Sequence, residues 1–109
     1  MNINYQVHKD ILEHLREISR NSENEVCGFV IENGNKFIQC ENIHPEPKNY
    51  FLISPKDYIW ERDTILFHSH PAHGDVIGFS DWDVQNQFYF QLKMLLYSVK
   101  YDEFYFKDP

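Results

Sequence analysis

The sequence predicts a mixed α/β domain built on one β-sheet with helices against it, and three observations carry that prediction. Apolar runs of strand length recur at residues 26–31, 64–67 and 92–99. Ile11, Leu12, Leu15 and Ile18 precede the first run at the spacing of one helix face. Ser54 and Ser80 each open a segment with acidic residues in its first turn, as helix N-caps do.

Taken in order, residues 8–18 form an amphipathic helix, which ends at Arg20-Asn21-Ser22. Val26-Cys27-Gly28-Phe29-Val30-Ile31 is a continuous apolar run and reads as a buried strand. Glu32-Asn33-Gly34-Asn35 carries the Asn-Gly hairpin signal, so residues 36–40 return as the paired strand. Residues 41–49 form an Asn- and Pro-bearing loop, and residues 50–53 a short strand. Ser54 caps a helix with Pro55 at its first position and Asp57 in its first turn, running to about Arg62. Residues 64–67 form a strand that ends on His68. Residues 71–79 form a loop with two glycines, and Ser80 starts a helix reaching about Gln91. Residues 92–99 and 103–106 complete the sheet. This gives one domain over residues 1–109, with about three helices flanking the sheet.

Composition narrows the function. A net charge of −7 with ten scattered Lys and Arg argues against nucleic acid as the main partner. No apolar run approaches the roughly 20 residues of a membrane span. The first residues carry no signal-peptide pattern, so a cytoplasmic setting is expected, a host's cytoplasm or a virion if the source is a phage. In such a setting Cys27 and Cys40 are expected to be reduced thiols.

The chemistry concentrates in His68-Ser69-His70-Pro71 and Ser80-Asp81-Trp82-Asp83. Residues i and i+2 of extended backbone share a side, so both imidazoles can converge on one ion. Asp83, on the first turn of the next helix, can face back toward them. Two imidazoles and a carboxylate with an open fourth position suit a catalytic zinc ion. A hydrolase of this type also needs a base, and Glu25, just before the first apolar strand, is the best candidate. Glu23 is a near competitor, and spacing alone does not separate the two. His73 and Asp75 lie in the loop that follows His70. They could reach substrate or a second cation, although a solvated loop is the plainer expectation.

Together these residues resemble the JAMM signature of the JAB1/MPN/Mov34 metallopeptidase family: a Glu before a Cys-Gly strand, then His-x-His-Pro, a loop, and Ser-x-x-Asp. The resemblance covers nearly the whole chain and implies a cytidine-deaminase-like, MPN-type sheet. It implies that His68, His70 and Asp83 hold one zinc ion and that Glu25 is the general base acting on the water at that ion. It also implies that Ser80 donates a hydrogen bond to the tetrahedral intermediate. The residues by themselves leave Ser80 equally able to serve as a helix N-cap. The loop of residues 71–79 is longer than the family pattern, an insertion that costs little closure entropy.

The segment from Asn42 to Tyr58 is similar to bacterial and phage members of the family, including the group of phage tail-assembly K-like proteins. Phage members often add an NlpC/P60-type cysteine-peptidase domain, and none is expected here. The expected activity is zinc-dependent hydrolysis of a peptide or isopeptide bond. The expected partner is a protein or peptide: a tail protein, a peptidoglycan stem peptide, or the tail of a ubiquitin-like or sulfur-carrier protein. The alternative is a non-catalytic assembly module of the same fold, such as a tail component, and a third reading is hydrolysis of a non-peptide substrate. The aromatic runs at residues 88–90 and 104–106 are expected to pack in the core or at an edge, with any exposed remainder serving an oligomer or tail contact.

Overall fold

The computed structural model of the chain describes residues 7–74 and 78–109. Its elements are α1 (Lys9–Arg20), β1 (Cys27–Ile31), β2 (Lys36–Cys40), β3 (Ile65–His70), α2 (Asp81–Phe90), β4 (Lys93–Ser98) and β5 (Glu103–Lys107). The strands form one sheet in the order β2-β1-β3-β4-β5. β3 and β4 are parallel, joined through α2, and the other neighbours are antiparallel. The mixed α/β sheet expected from the sequence is therefore the observed fold.

Strand alternation sorts the core into two layers. Val26, Val30, Ile65, Phe67, Leu95 and Tyr97 face α1 and bury Leu12 and Leu15 against the sheet. The opposite face presents Cys27, Phe29, Leu66 and Met94, covered by Phe51 and Ile53. His68 and His70 have the parity of Leu66 and therefore belong to this second face. α1 is capped by the ring of His8, whose Nδ1 accepts from the Asp10 N–H at 3.2 Å.

Three expectations need correction. Residues 50–53 pair with no strand. Neighbouring places along β1 are taken by β2 and β3, and the segment bonds instead to the loop behind it, the Ile43 N–H donating to the Leu52 carbonyl at 2.9 Å. Its Phe51 and Ile53 still act as core lids, each 1 % exposed.

The helix expected from Ser54 to Arg62 is a single 3₁₀ turn, Pro55–Asp57, and the Ser54 side chain makes no cap bond. Tyr58 leaves that turn in extended backbone, and its ring packs against Phe29 at 5.2 Å and Phe90 at 4.2 Å. Burying that ring outweighs a marginal short helix. Two α-helices and one 3₁₀ turn therefore stand where about three helices were expected.

β3 runs on to His70 rather than ending at His68, because Ser69 and His70 continue the parallel register with Tyr97 and Ser98. The hairpin turn falls at residues 32–35, between the paired Ile31 and Lys36, as expected. Glu32 and Asn33 hold φ of 55° and 57°, and the Gly34 N–H closes the turn on the Ile31 carbonyl at 3.2 Å.

Candidate metal centre

β3 delivers two imidazoles to one face. His68 is fully buried and His70 is 7 % exposed. β1 lies antiparallel beside β3 with Cys27 opposite His68. Extending that register by two residues brings Glu25 level with His70, and the Ser69 N–H bond to the Val26 carbonyl at 2.9 Å shows that pairing continues there. Glu23, by contrast, is exposed beyond the strand end. The choice that spacing left open between the two acids is thereby made by register.

α2 delivers the fourth group. The Asp83 N–H donates to Ser80 Oγ at 3.2 Å, and the Ser80 N–H donates to Asp83 Oδ2 at 2.9 Å. This reciprocal capping box fixes the Asp83 carboxylate at the helix start. Asp83 Oδ2 then lies 3.0 Å from His68 Nε2 and 3.1 Å from His70 Nε2. Ligand atoms of Glu25, His68, His70 and Asp83 all lie within 4.8 Å of one another, and all four residues are buried.

The donor set fits a small divalent cation. Zinc–ligand bonds of about 2.0–2.2 Å in a tetrahedron put ligand atoms about 3.3–3.5 Å apart, near the 3.0 and 3.1 Å between Asp83 Oδ2 and the two imidazoles. His68 Nε2 is near Asp83 but not aligned for a hydrogen bond, and both nitrogens of that buried ring lack a hydrogen-bond partner, as does Glu25 Oε1. Orphaned buried polar atoms are costly, and a shared cation would satisfy His68 Nε2 and Glu25 Oε1 at once.

Electrostatics separates the two carboxylates. Burial pushes the Glu25 carboxyl up to about 10, with a further rise from the Asp83 charge. Burial also works against the charge on Asp83. The adjacent His68 ring and the hydrogen bonds from His70 and the Ser80 N–H outweigh it and hold that carboxyl well below its usual range. One acid is thus kept ionised and the other is poised to carry a proton.

The group opens onto a cleft of about 660 Å³ lined by Glu25, His70 and Ser80, with Tyr50, Phe79 and Trp82 as walls. Ser80 is half-buried there. Its oxygen accepts in the capping box, which leaves its hydroxyl hydrogen available. Cys27 and Cys40 are free thiols directly opposite each other on β1 and β2, and burial pushes Cys27 up to about 12. His73 is not part of the group, since its Nε2 lies 2.8 Å from the Lys48 carbonyl oxygen and ties the two cleft loops together. Asp75 lies outside the described residues.

Sequence reasoning missed three supports. Phe51 stacks on the His68 ring at 4.7 Å and 21°, fixing its plane. Trp82, the residue before Asp83, anchors α2 by donating its indole N–H to the Phe51 carbonyl at 3.1 Å. Asn42 is a hub: its amide donates to the carbonyls of Glu25, Pro47 and Tyr50 and accepts from the N–H groups of His44 and Leu52. The readable signal was an Asn followed two residues later by a bonded N–H, the pattern of an Asx turn.

No protein-family profile matches this chain. A 53-residue stretch is 34 % identical to the tail tip assembly protein K of Escherichia phage N15, covering 43 % of this chain and 22 % of that protein. The chain thus matches about a fifth of the length of that relative. Among the described residues, no helix is long and apolar enough to cross a membrane.

Proposed function

We propose that the chain is a zinc-dependent hydrolase that cleaves a peptide or isopeptide bond, with His68, His70 and Asp83 as the metal ligands. The observation that carries this reading is a buried group of two imidazoles and two carboxylates, all within 4.8 Å, opening onto a cleft beside Glu25. When bound, the ion supplies Lewis-acid polarisation of a scissile carbonyl and acidifies a water.

The remaining steps belong to this chain's own residues. Glu25 Oε1 accepts the proton of the attacking water and returns it to the leaving amine, a role that suits a buried carboxylate beside the two imidazoles at the cleft. The Ser80 hydroxyl donates toward the oxygen on which negative charge develops. Phe51 holds the His68 ring and excludes water behind it. Tyr50 and Trp82 form an apolar wall for the substrate chain. The net charge of −7 favours a protein or peptide substrate over a nucleic-acid one.

The similarity to a tail tip assembly protein favours a second reading, an assembly module in which the ion serves structure alone. Both readings involve a tail protein or peptide as partner. One experiment separates them. Zinc-loaded protein and Glu25→Gln are compared on peptides, isopeptide conjugates and cell-wall fragments, with metal content measured in parallel. The hydrolase reading expects zinc retention in both and a loss of turnover of about 10²–10⁴-fold in the variant. Zinc-loaded wild type that cleaves nothing in the panel favours the assembly reading, and unchanged turnover in the variant removes Glu25 from its role.

A further inference from the structure

Helix α2 is turned inside out. Its buried side chains, Asp83 and Gln87, are polar. Asp83 belongs to the metal centre, and Gln87 Nε2 donates to the Leu92 carbonyl at 3.1 Å and the Lys107 carbonyl at 2.8 Å. Three of its five exposed positions are apolar, Phe88 and Tyr89 at 79 % exposure and Val84 at 43 %, beside the polar Asp81 and Gln85. A helix on a protein surface ordinarily shows the reverse arrangement.

The patch continues off the helix through ring contacts. Tyr89 meets Phe90 at 4.9 Å, Phe90 stacks on Tyr58 at 4.2 Å, and Tyr58 stacks on Trp60 at 5.2 Å. Trp60 itself is 61 % exposed. Side chains of this size present about 150–250 Å² each, so the patch offers roughly 500 Å² of apolar surface. That lies in the range where an exposed patch on a single chain marks a contact site.

We propose that this face is the contact of a homodimer, packing α2 against α2 of a second copy across a two-fold axis. Charge favours a self-contact here. The chain carries a net −7, yet residues 84–92 contain no charged side chain, so the helical part of the face sets no like charges against each other. Area agrees. A stable interface hides about 800 Å² per partner, of which a little over half is apolar, and the patch supplies that share. Symmetry agrees as well. Val84 and Phe88 lie one helical turn apart and form a stripe that can pack on its own copy in an isologous contact. The contact requires neither bound metal nor turnover.

The test is sedimentation velocity of the full chain from about 1 to 200 μM, bracketing micromolar affinity. The expected result is a reversible dimer that Phe88→Glu weakens at least about tenfold, with an unchanged circular dichroism spectrum. Tyr101→Glu, on the exposed turn between β4 and β5, should leave the dimer intact. If Phe88→Glu does not fold, Tyr89→Glu and Trp60→Ser give the same reading at neighbouring positions. A monomer throughout the range, or a dimer indifferent to every patch variant that folds, overturns the proposal.

Discussion

At Gly28 the backbone has no room for a side chain. A Cβ there would lie 2.2 Å from the Ile38 carbonyl oxygen and 2.8 Å from the Phe37 ring, both on β2. Gly28→Ala is therefore expected to lower stability by about 1–3 kcal/mol or more in urea unfolding, by forcing β1 from β2. Asn42 fills its hydrogen-bonding capacity within its own loop and at the start of β1, and three of its partners are backbone carbonyls. Asn42→Ala should cost about 1–3 kcal/mol. Its Glu25 contact predicts a second effect, a larger loss in kcat than in 1/KM, because the backbone that carries Glu25 loosens. Ser80 holds a cap and is proposed to hold an oxyanion. Ser80→Ala should lose about 1 kcal/mol from the cap alone. A variant whose activity per folded molecule equals wild type would leave Ser80 with the cap only.

At the scale of elements, α1 is fastened to the turn between β4 and β5. Asp102 accepts from Arg16 Nε at 2.9 Å and lies 3.1 Å from Arg20 Nη2, while the Tyr97 hydroxyl donates to it from the core. The bonds from Tyr97 and Arg16 hold the Asp102 carboxyl below its usual range. A carboxyl lowered on folding adds stability above its unfolded pKa of about 3.9, and that contribution disappears as pH falls through the lower folded value. Wild type should accordingly exceed Asp102→Asn in stability at neutral pH, and the gap should close below about pH 4. Asparagine tolerates the φ of 52° at this position, so the comparison spares the turn. Elements with long periodic patterns, such as α1, and those with reciprocal caps, such as α2, were legible in the sequence. Residues 50–62 were not. Their backbone is ruled by where Phe51, Ile53 and Tyr58 find burial, and a local pattern does not record that.

Across the whole molecule, the candidate metal centre joins three parts distant in sequence: the start of β1, the end of β3 and the start of α2. A cation bound only by the folded chain stabilises it by about 2.7 kcal/mol at one hundred times its dissociation constant. Chelation should therefore lower Tm by about 10 °C or more, and His68→Ala or Asp83→Ala should abolish both the shift and the bound metal. The sequence by itself determined the mixed α/β class, the pairing of His68 with His70 on one strand face, and the capped helix that presents Asp83. Each follows from local chemistry: period-2 alternation, apolar runs, and a Ser-x-x-Asp start. Only the tertiary structure decided that Glu25 rather than Glu23 joins them, since the antiparallel register of β1 on β3 is a long-range property. It also decided that α2 turns Phe88 and Tyr89 outward. The inward face of that helix is claimed by Asp83 and Gln87, whose partners lie on β3, β5 and the segment that enters β4.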